Sequence, residues 1–167
     1  VCDALTVSPY LGVDSLAETM AEAIERGKGL FVLAATSNEE AKTLQRALIG
    51  NQTVAADVYD RIERINSVNL SPGARIGSLG VVVGATLNLS ATGLARLQSE
   101  ANLHTPILAP GFGAQGASLD ELADLFGAAA DRVIANVSRS VLASGSTALQ
   151  SAIVQAKQQL LKGTKRA

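Results

Sequence analysis

The sequence predicts an α/β fold built on a parallel sheet, and three observations carry that reading. Five short apolar runs, at 4–8, 30–35, 79–83, 107–109 and 133–137, are rich in Val, Ile, Leu and Ala and alternate poorly, as strands buried on both faces do. Helix-like segments with recognisable start signals separate them. The connections between the two kinds of segment are short, and repeated units of this kind pair in parallel through right-handed crossovers. Two architectures satisfy this pattern: an open doubly wound sheet, or part of a closed (β/α)8 barrel. A whole barrel takes roughly 250 residues, so in that case the 167 residues supply about five C-terminal units and about three lie upstream. The opening Val1-Cys-Asp-Ala-Leu-Thr-Val has no initiator Met and lies almost directly inside a strand-like run. The expectation is one partial domain over 1–167, cut from a longer polypeptide.

The helices follow in order. Ser15-Leu-Ala-Glu18 has the form of a capping box, and Gly27 is the stop before the second strand. Asn38 can cap a helix through about Leu48, with Glu39 and Glu40 in its first turn. Val54, Val58, Ile62 and Ile65 form an apolar stripe, which predicts a second helix before the third strand. A short helix is expected at 90–99. Ser118-Leu-Asp-Glu121 is a second capping box, opening a helix toward Ala128, and a long terminal helix spans 146–161. The basic tail 162–167 reads as a solvated end.

Composition excludes several function classes. A net charge of −1 gives no electrostatic basis for binding nucleic acid or an anionic membrane. Aromatic residues amount to 3% with no Trp, so base-stacking platforms are not expected. No apolar run approaches the ~20 residues of a membrane span. The single cysteine, Cys2, cannot form an internal disulfide and fits a reducing, cytoplasmic compartment. Its place at the start of a strand predicts a buried structural thiol. His104, the only histidine, falls in a helix-to-strand connection, away from any site at the other end of the strands. No Cys/His cluster has metal-ligand spacing, so no metal is expected. Asp120, Glu121 and Asp124 read as first-turn helix charges, and Ser37 has no histidine partner for a hydrolase triad.

In either architecture the binding site lies beyond the C-terminal ends of the strands. There the sequence places Ser8-Pro-Tyr10, Thr36-Ser37-Asn38, Gly84-Ala-Thr86, Pro110-Gly-Phe-Gly113-Ala-Gln115-Gly116 and Ser138-Arg139-Ser140. The last two loops carry the sharpest chemistry. Gly113 and Gly116 can turn backbone N–H groups toward an anion, and the helix expected at Ser118 adds its dipole. Gln115 can donate an amide N–H, and Arg139 offers a bidentate fork for phosphate oxygens. The bland alternative is a structural glycine turn beside a surface arginine. Residues 111–116 also match G-x-G-x-x-G, the dinucleotide fingerprint. Against that reading, Gly116 precedes the expected N-cap Ser118, and no acidic residue stands at the next strand end. Arg139 could still serve a 2′-phosphate there.

Taken together, Thr6-Val-Ser-Pro-Tyr-Leu-Gly12, Phe31-Val-Leu-Ala-Ala-Thr-Ser-Asn38, Val81-Val-Val-Gly-Ala-Thr86, Leu108-Ala-Pro-Gly-Phe-Gly-Ala-Gln-Gly116 and Asn136-Val-Ser-Arg-Ser140 resemble the orotidine 5′-phosphate decarboxylase family. The likeness is closest to the bacterial subgroup found in mycobacteria and their relatives, and it covers 1 to about 145. It implies a (β/α)8 barrel acting as a cytoplasmic homodimer. That enzyme turns orotidine 5′-phosphate into UMP and CO2, the last step of UMP synthesis, without metal or organic cofactor. By the same resemblance, Ser37 would recognise the pyrimidine edge, with Asn38 beside it. Pro110 would wall the base pocket, and Gln115 would close over the phosphate and reach toward the base. Arg139 would grip the phosphate, assisted by backbone amides near Gly116 and Ser140.

The family's Asp-x-Lys-x-x-Asp motif, which supplies the proton-donating Lys and its flanking carboxylates, does not occur in these residues. Lys28, Lys42, Lys157, Lys162 and Lys165 all stand in other contexts. The catalytic Lys and Asp are therefore expected upstream of Val1, and none of the catalytic residues in this chain. Two other readings stay open from the sequence. One is another phosphate-binding barrel enzyme, such as a phosphosugar isomerase or epimerase. The other is a non-catalytic phosphate-binding or assembly fragment.

Overall fold

The structure, a computed structural model, describes residues 2–164. Five parallel strands form the main sheet: β1 (Ala4–Val7), β2 (Gly29–Ala35), β5 (Leu79–Val83), β6 (Ile107–Pro110) and β7 (Val133–Asn136), in the order β1-β2-β5-β6-β7. The remaining strands, β3 (Leu48–Ile49) and β4 (Gln52–Thr53), make a small antiparallel hairpin. Helices α1 (Ala17–Glu25), α2 (Ala41–Gln45), α3 (Val54–Asn69), α4 (Leu122–Phe126), α5 (Arg139–Leu142) and α6 (Gly145–Gly163) fill the connections. All five expected strands are present, and every neighbouring pair in the main sheet is parallel.

Register divides the sheet into two faces. Val7, Val32, Val81, Ile107 and Val133 are linked through successive pairings and share the helix-covered face. Val32, Val81 and Ile107 are fully buried there against Val58, Tyr59 and Ile62 of α3 and the rest of the apolar cluster. Leu33, Val82, Leu108 and Ile134 share the opposite, concave face. Phe31 also lies on it, with its ring packed across Gly80, where a Cβ would overlap the ring.

Burial on both faces holds for the central strand β5, which is buried at every position. It fails at the two edges. β1 is mostly exposed, and Ile134 of β7 is 48% exposed. An edge strand lacks a neighbour on one side, and on the concave face exposure rises from Val82 (4%) at the centre to Ile134 at the edge. The same edge position corrects the expectation for Cys2, which is exposed and not a buried thiol.

Other local expectations shift. Ser15 lies inside a single 3-10 turn (Val13–Leu16) and its Oγ donates to Gly12 O (2.7 Å), so α1 begins later without a side-chain cap. The chain still turns out of α1 at Gly27, where Lys28 N–H closes on Ala23 O (2.7 Å). The helix after Asn38 is only α2, and Leu48 belongs to the hairpin. The segment 90–99 is two 3-10 turns, Ser90–Thr92 and Ala95–Gln98, divided by Gly93 at φ +76°, a conformation that interrupts a helix. A 3-10 turn (Leu119–Glu121) precedes α4, and the Ser118 hydroxyl donates to the Asp120 carboxylate in place of a backbone cap. The striped helix is α3, capped by Thr53 Oγ1, which accepts from Ala56 N–H (3.1 Å). The long terminal helix is α6. Lys165 and the rest of 165–167 lie outside the described residues.

Candidate functional site

Parallel strands end together, so their C-terminal ends form one rim. Backbone hydrogen bonds stitch that rim across four strands. Gly84 N–H donates to Ala35 O (2.9 Å), and Ala85 N–H to Pro110 O (2.8 Å). Pro110 then pairs with Asn136 across β6 and β7. Ser37 and Asn38 stand at the β2 end of this rim, Pro110 and Gln115 at its middle, and Arg139 and Ser140 at the β7 end.

The β2 end is held by a side-chain clamp. Gln45 of α2 accepts from Thr36 N–H (2.8 Å) through Oε1 and donates to Thr36 Oγ1 (3.2 Å) through Nε2. This fixes the turn into Ser37, whose backbone N lies 3.5 Å from the point where a Cβ on Gly84 would stand. Ser37 and Asn38 are exposed. The Asn38 side chain does not cap α2, whose first turn begins with Asn38 O accepting from Ala41 N–H (3.2 Å). Beside it, the Lys42 hydrogen bond and charge hold the Glu39 carboxyl below its ordinary pKa.

The β6 loop is tightly folded. Gly113 N–H donates to Ala117 O (2.8 Å), Gly116 N–H to Gly113 O (2.9 Å) and Ala117 N–H to Gly111 O (3.3 Å), while Phe112 is buried beneath. The N–H groups of Gly113 and Gly116 are thus both engaged in closing the loop on itself. What the two glycines provide is space. Gly113 sits at φ +74°, and a Cβ there would run into Ser140 Oγ and stand 2.9 Å from Ser140 Cβ. Gly116 has open space where a side chain would project. The loops after β6 and β7 therefore touch at Gly113 and Ser140, which brings the two halves of the expected cradle together.

Ser118 opens only a 3-10 turn, whereas Arg139 and Ser140 open α5 directly after β7. As the first N–H groups of a helix, theirs have no acceptor within it. Arg139 is exposed and makes no ion pair among the described residues.

A cleft of about 390 Å3 lies against these loops. Gly113, Gly116, Val137 and Ser140 bound it on one side, and Gln155 and Gln159 of α6 on the other. Gln115 faces a neighbouring cleft of about 410 Å3 with Thr86 and Asn88, and its Oε1 reaches back toward Gly111. Sequence reasoning missed Gln155 and Gln159. Their i, i+4 spacing puts them on one face of α6, but only the packing of α6 shows that this face meets the loops. The dinucleotide fingerprint does not survive: Gly116 lies in the folded loop, Ser118 is extended and only a 3-10 turn follows it, so no glycine packs a helix start against the strand. His104 sits before β6 at the other end of the sheet, where its N–H donates to Glu63 (2.9 Å). Among the described residues, no group of three or more His, Cys, Asp or Glu is placed to hold a metal ion, and no helix is long and apolar enough to cross a membrane.

Comparison with known proteins places this rim in a family. The orotidine 5′-phosphate decarboxylase of Salinispora arenicola is 47% identical over 145 residues, covering 86% of this chain and 48% of the relative. That of Streptomyces coelicolor is 46% identical over 154 residues, covering 90% and 51%. Among solved structures, one described as an orotidine 5′-phosphate decarboxylase from Streptomyces avermitilis superposes with a TM-score of 0.83 at 42% identity, over 98% of this chain and 55% of the other. The Leishmania donovani OMP decarboxylase gives 0.66 at 30% identity, over 96% and 57%. The chain thus spans about half the length of the curated relatives it matches, and its five parallel βα units are part of a (β/α)8 barrel. The family model described as Orotidine 5′-phosphate decarboxylase / HUMPS family matches residues 1–152, and the chain belongs to that family.

Proposed function

We propose that this chain is the phosphate- and base-binding part of an orotidine 5′-phosphate decarboxylase, the enzyme that converts orotidine 5′-phosphate to UMP and CO2. The observation that carries the reading is the contact between Gly113 and Ser140, which joins the Gln115 loop to the α5 N-terminus and its unpaired Arg139 at the strand ends. In this reading Arg139 grips the phosphate with a charge-assisted fork, and the N–H groups at the start of α5 add donors. Gln115 lies between phosphate and base. Pro110 walls the base, and Ser37 with Asn38 meets the pyrimidine edge at the far end of the rim. Binding energy gathered at the phosphate is then available to position and strain the reacting carbon. The Asp-x-Lys-x-x-Asp motif is absent from these 167 residues, so this chain by itself binds UMP without decarboxylating orotidine 5′-phosphate. We further propose a single partial domain over 1–167, acting in the cytoplasm as part of a homodimer. Tyr10 and Leu11, 79% and 84% exposed beyond β1, offer apolar surface for the partner subunit.

The test is UMP affinity by calorimetry, with NADP as the control ligand. Arg139→Ala is expected to weaken UMP binding by about a hundredfold or more, the loss of a charge-assisted bidentate contact. Unchanged affinity, or a preference for NADP, overturns the reading.

A further inference from the structure

At the end of the sheet opposite the rim, Arg132 closes the 3-10 turn Gly127–Arg132 just before β7 and is 5% exposed. Its Nη1 donates to Thr105 O (3.0 Å) and approaches the Tyr59 hydroxyl (3.5 Å). Nε and Nη2 are buried and have no hydrogen-bond partner among the described residues. A buried guanidinium with donors unmet is costly, because its hydration has been stripped without replacement.

The nearby carboxylates do not meet the need. Both oxygens of Glu63 are taken by the N–H groups of His104 and Thr105 and by the Thr105 hydroxyl. Asp131 stands 4.0 Å from Arg132 Nε, outside hydrogen-bond range, and its other oxygen is held by Arg75 Nη2 at 2.5 Å. Arg132 and Arg75 both line a cleft of about 600 Å3, with His104, Asp131, Ile76 and Leu103. With Glu63 saturated and Asp131 held by Arg75, Arg132 keeps two donors unmet beside this cleft.

We propose that this cleft is a second oxyanion site, taking a small phosphate or carboxylate between Arg75 and Arg132. The planar fork of a guanidinium matches both chemistries. The Asp131 side chain is 52% exposed; its rotation toward solvent would take it off Arg132 Nε and release Arg75 to the incoming anion. The site is separate from the rim, since it lies at the N-terminal ends of β6 and β7.

The experiment uses Arg139→Ala protein, so that phosphate binding at the rim is removed. Inorganic phosphate and succinate are titrated separately, with melting temperature and calorimetry as readouts. Saturable binding of either anion is expected to persist in Arg139→Ala and to weaken roughly tenfold on adding Arg75→Ala, which removes one of two charged contacts. Arg132→Met removes the other contact, and Arg75→Ala, at an exposed position, keeps the test valid if the buried substitution fails to fold. Absence of saturable binding of both anions in Arg139→Ala overturns the proposal. So does binding that Arg75→Ala leaves unchanged.

Discussion

Gly113 is where residue-scale constraint and proposed function meet. Its φ of +74° disfavours any L side chain, and its neighbour Ser140 leaves no room for one. Gly113→Ala must therefore either twist the β6 loop or push it from α5, at a cost of about 1–3 kcal/mol. UMP affinity is expected to fall by about tenfold or more, because Gln115 and Arg139 lose their relative placement; calorimetry checks it, and wild-type affinity would show that the two loops act independently. Tyr59 gives a second prediction, in pH. It is fully buried, and burial raises its phenol pKa, an effect that the Arg132 hydrogen bond only partly opposes. The folded protein thus holds this proton more tightly than the unfolded chain, whose phenol titrates near the ordinary value of about 10. Stability from Tyr59 is complete below that value and is lost as pH rises through the folded pKa. Denaturant melts between neutral pH and pH above about 10 should show an alkaline loss that Tyr59→Phe reduces.

Among the elements, α3 shows why some of the fold was legible and some was not. Its stripe of Val54, Val58 and Ile62 is a periodic pattern, and the helix falls where the pattern lies. Its anchors are single polar residues, which no periodicity marks. Thr53 caps the helix and also donates its hydroxyl to Thr92 O (2.6 Å), 39 residues away. Asn66 is buried on α3. Its Nδ2 donates to Leu79 O (2.6 Å) and Thr105 Oγ1 (3.0 Å), and its Oδ1 accepts from Leu79 N–H (3.2 Å), pinning the start of β5. Thr53→Ala is expected to cost about 1 kcal/mol, the usual value of a lost cap. Asn66→Ala leaves buried partners unmet and is expected to cost about 2–3 kcal/mol. Chemical denaturation separates the two, and equal losses would contradict the burial argument. The same contrast runs through the candidate site. Glycines and an arginine at strand ends were readable because parallel sheets bind there. The direction of the Gly113 and Gly116 N–H groups was not, because the hairpin-like closure of 111–117 depends on backbone geometry. Gln155 and Gln159 were hidden for a different reason: a helix face acquires meaning only from what packs on it.

For the whole molecule, the deciding feature is the unequal treatment of the two sheet faces. The helix-covered face is closed, with Val32, Val81 and Ile107 at zero exposure. The concave face buries Val82 but leaves Phe31, Leu33 and Leu108 only half-buried and Ile134 48% exposed. In a complete barrel the interior is filled by inward side chains from all strands, so such a face is a core surface and not a solvent surface. Both outer strands, β1 and β7, also present unpaired backbone along one edge, which favours pairing with another chain. This 167-residue chain in solution is therefore expected to bind an apolar dye and to gain mass with concentration in sedimentation. Ile134→Lys places a charge on the exposed face at the open β7 edge, and should lower both signals while leaving the helix-covered core intact. A dye-silent, strictly monomeric chain would show that the concave face is closed by some rearrangement of the five strands, and the open-arc architecture would have to be abandoned for this chain.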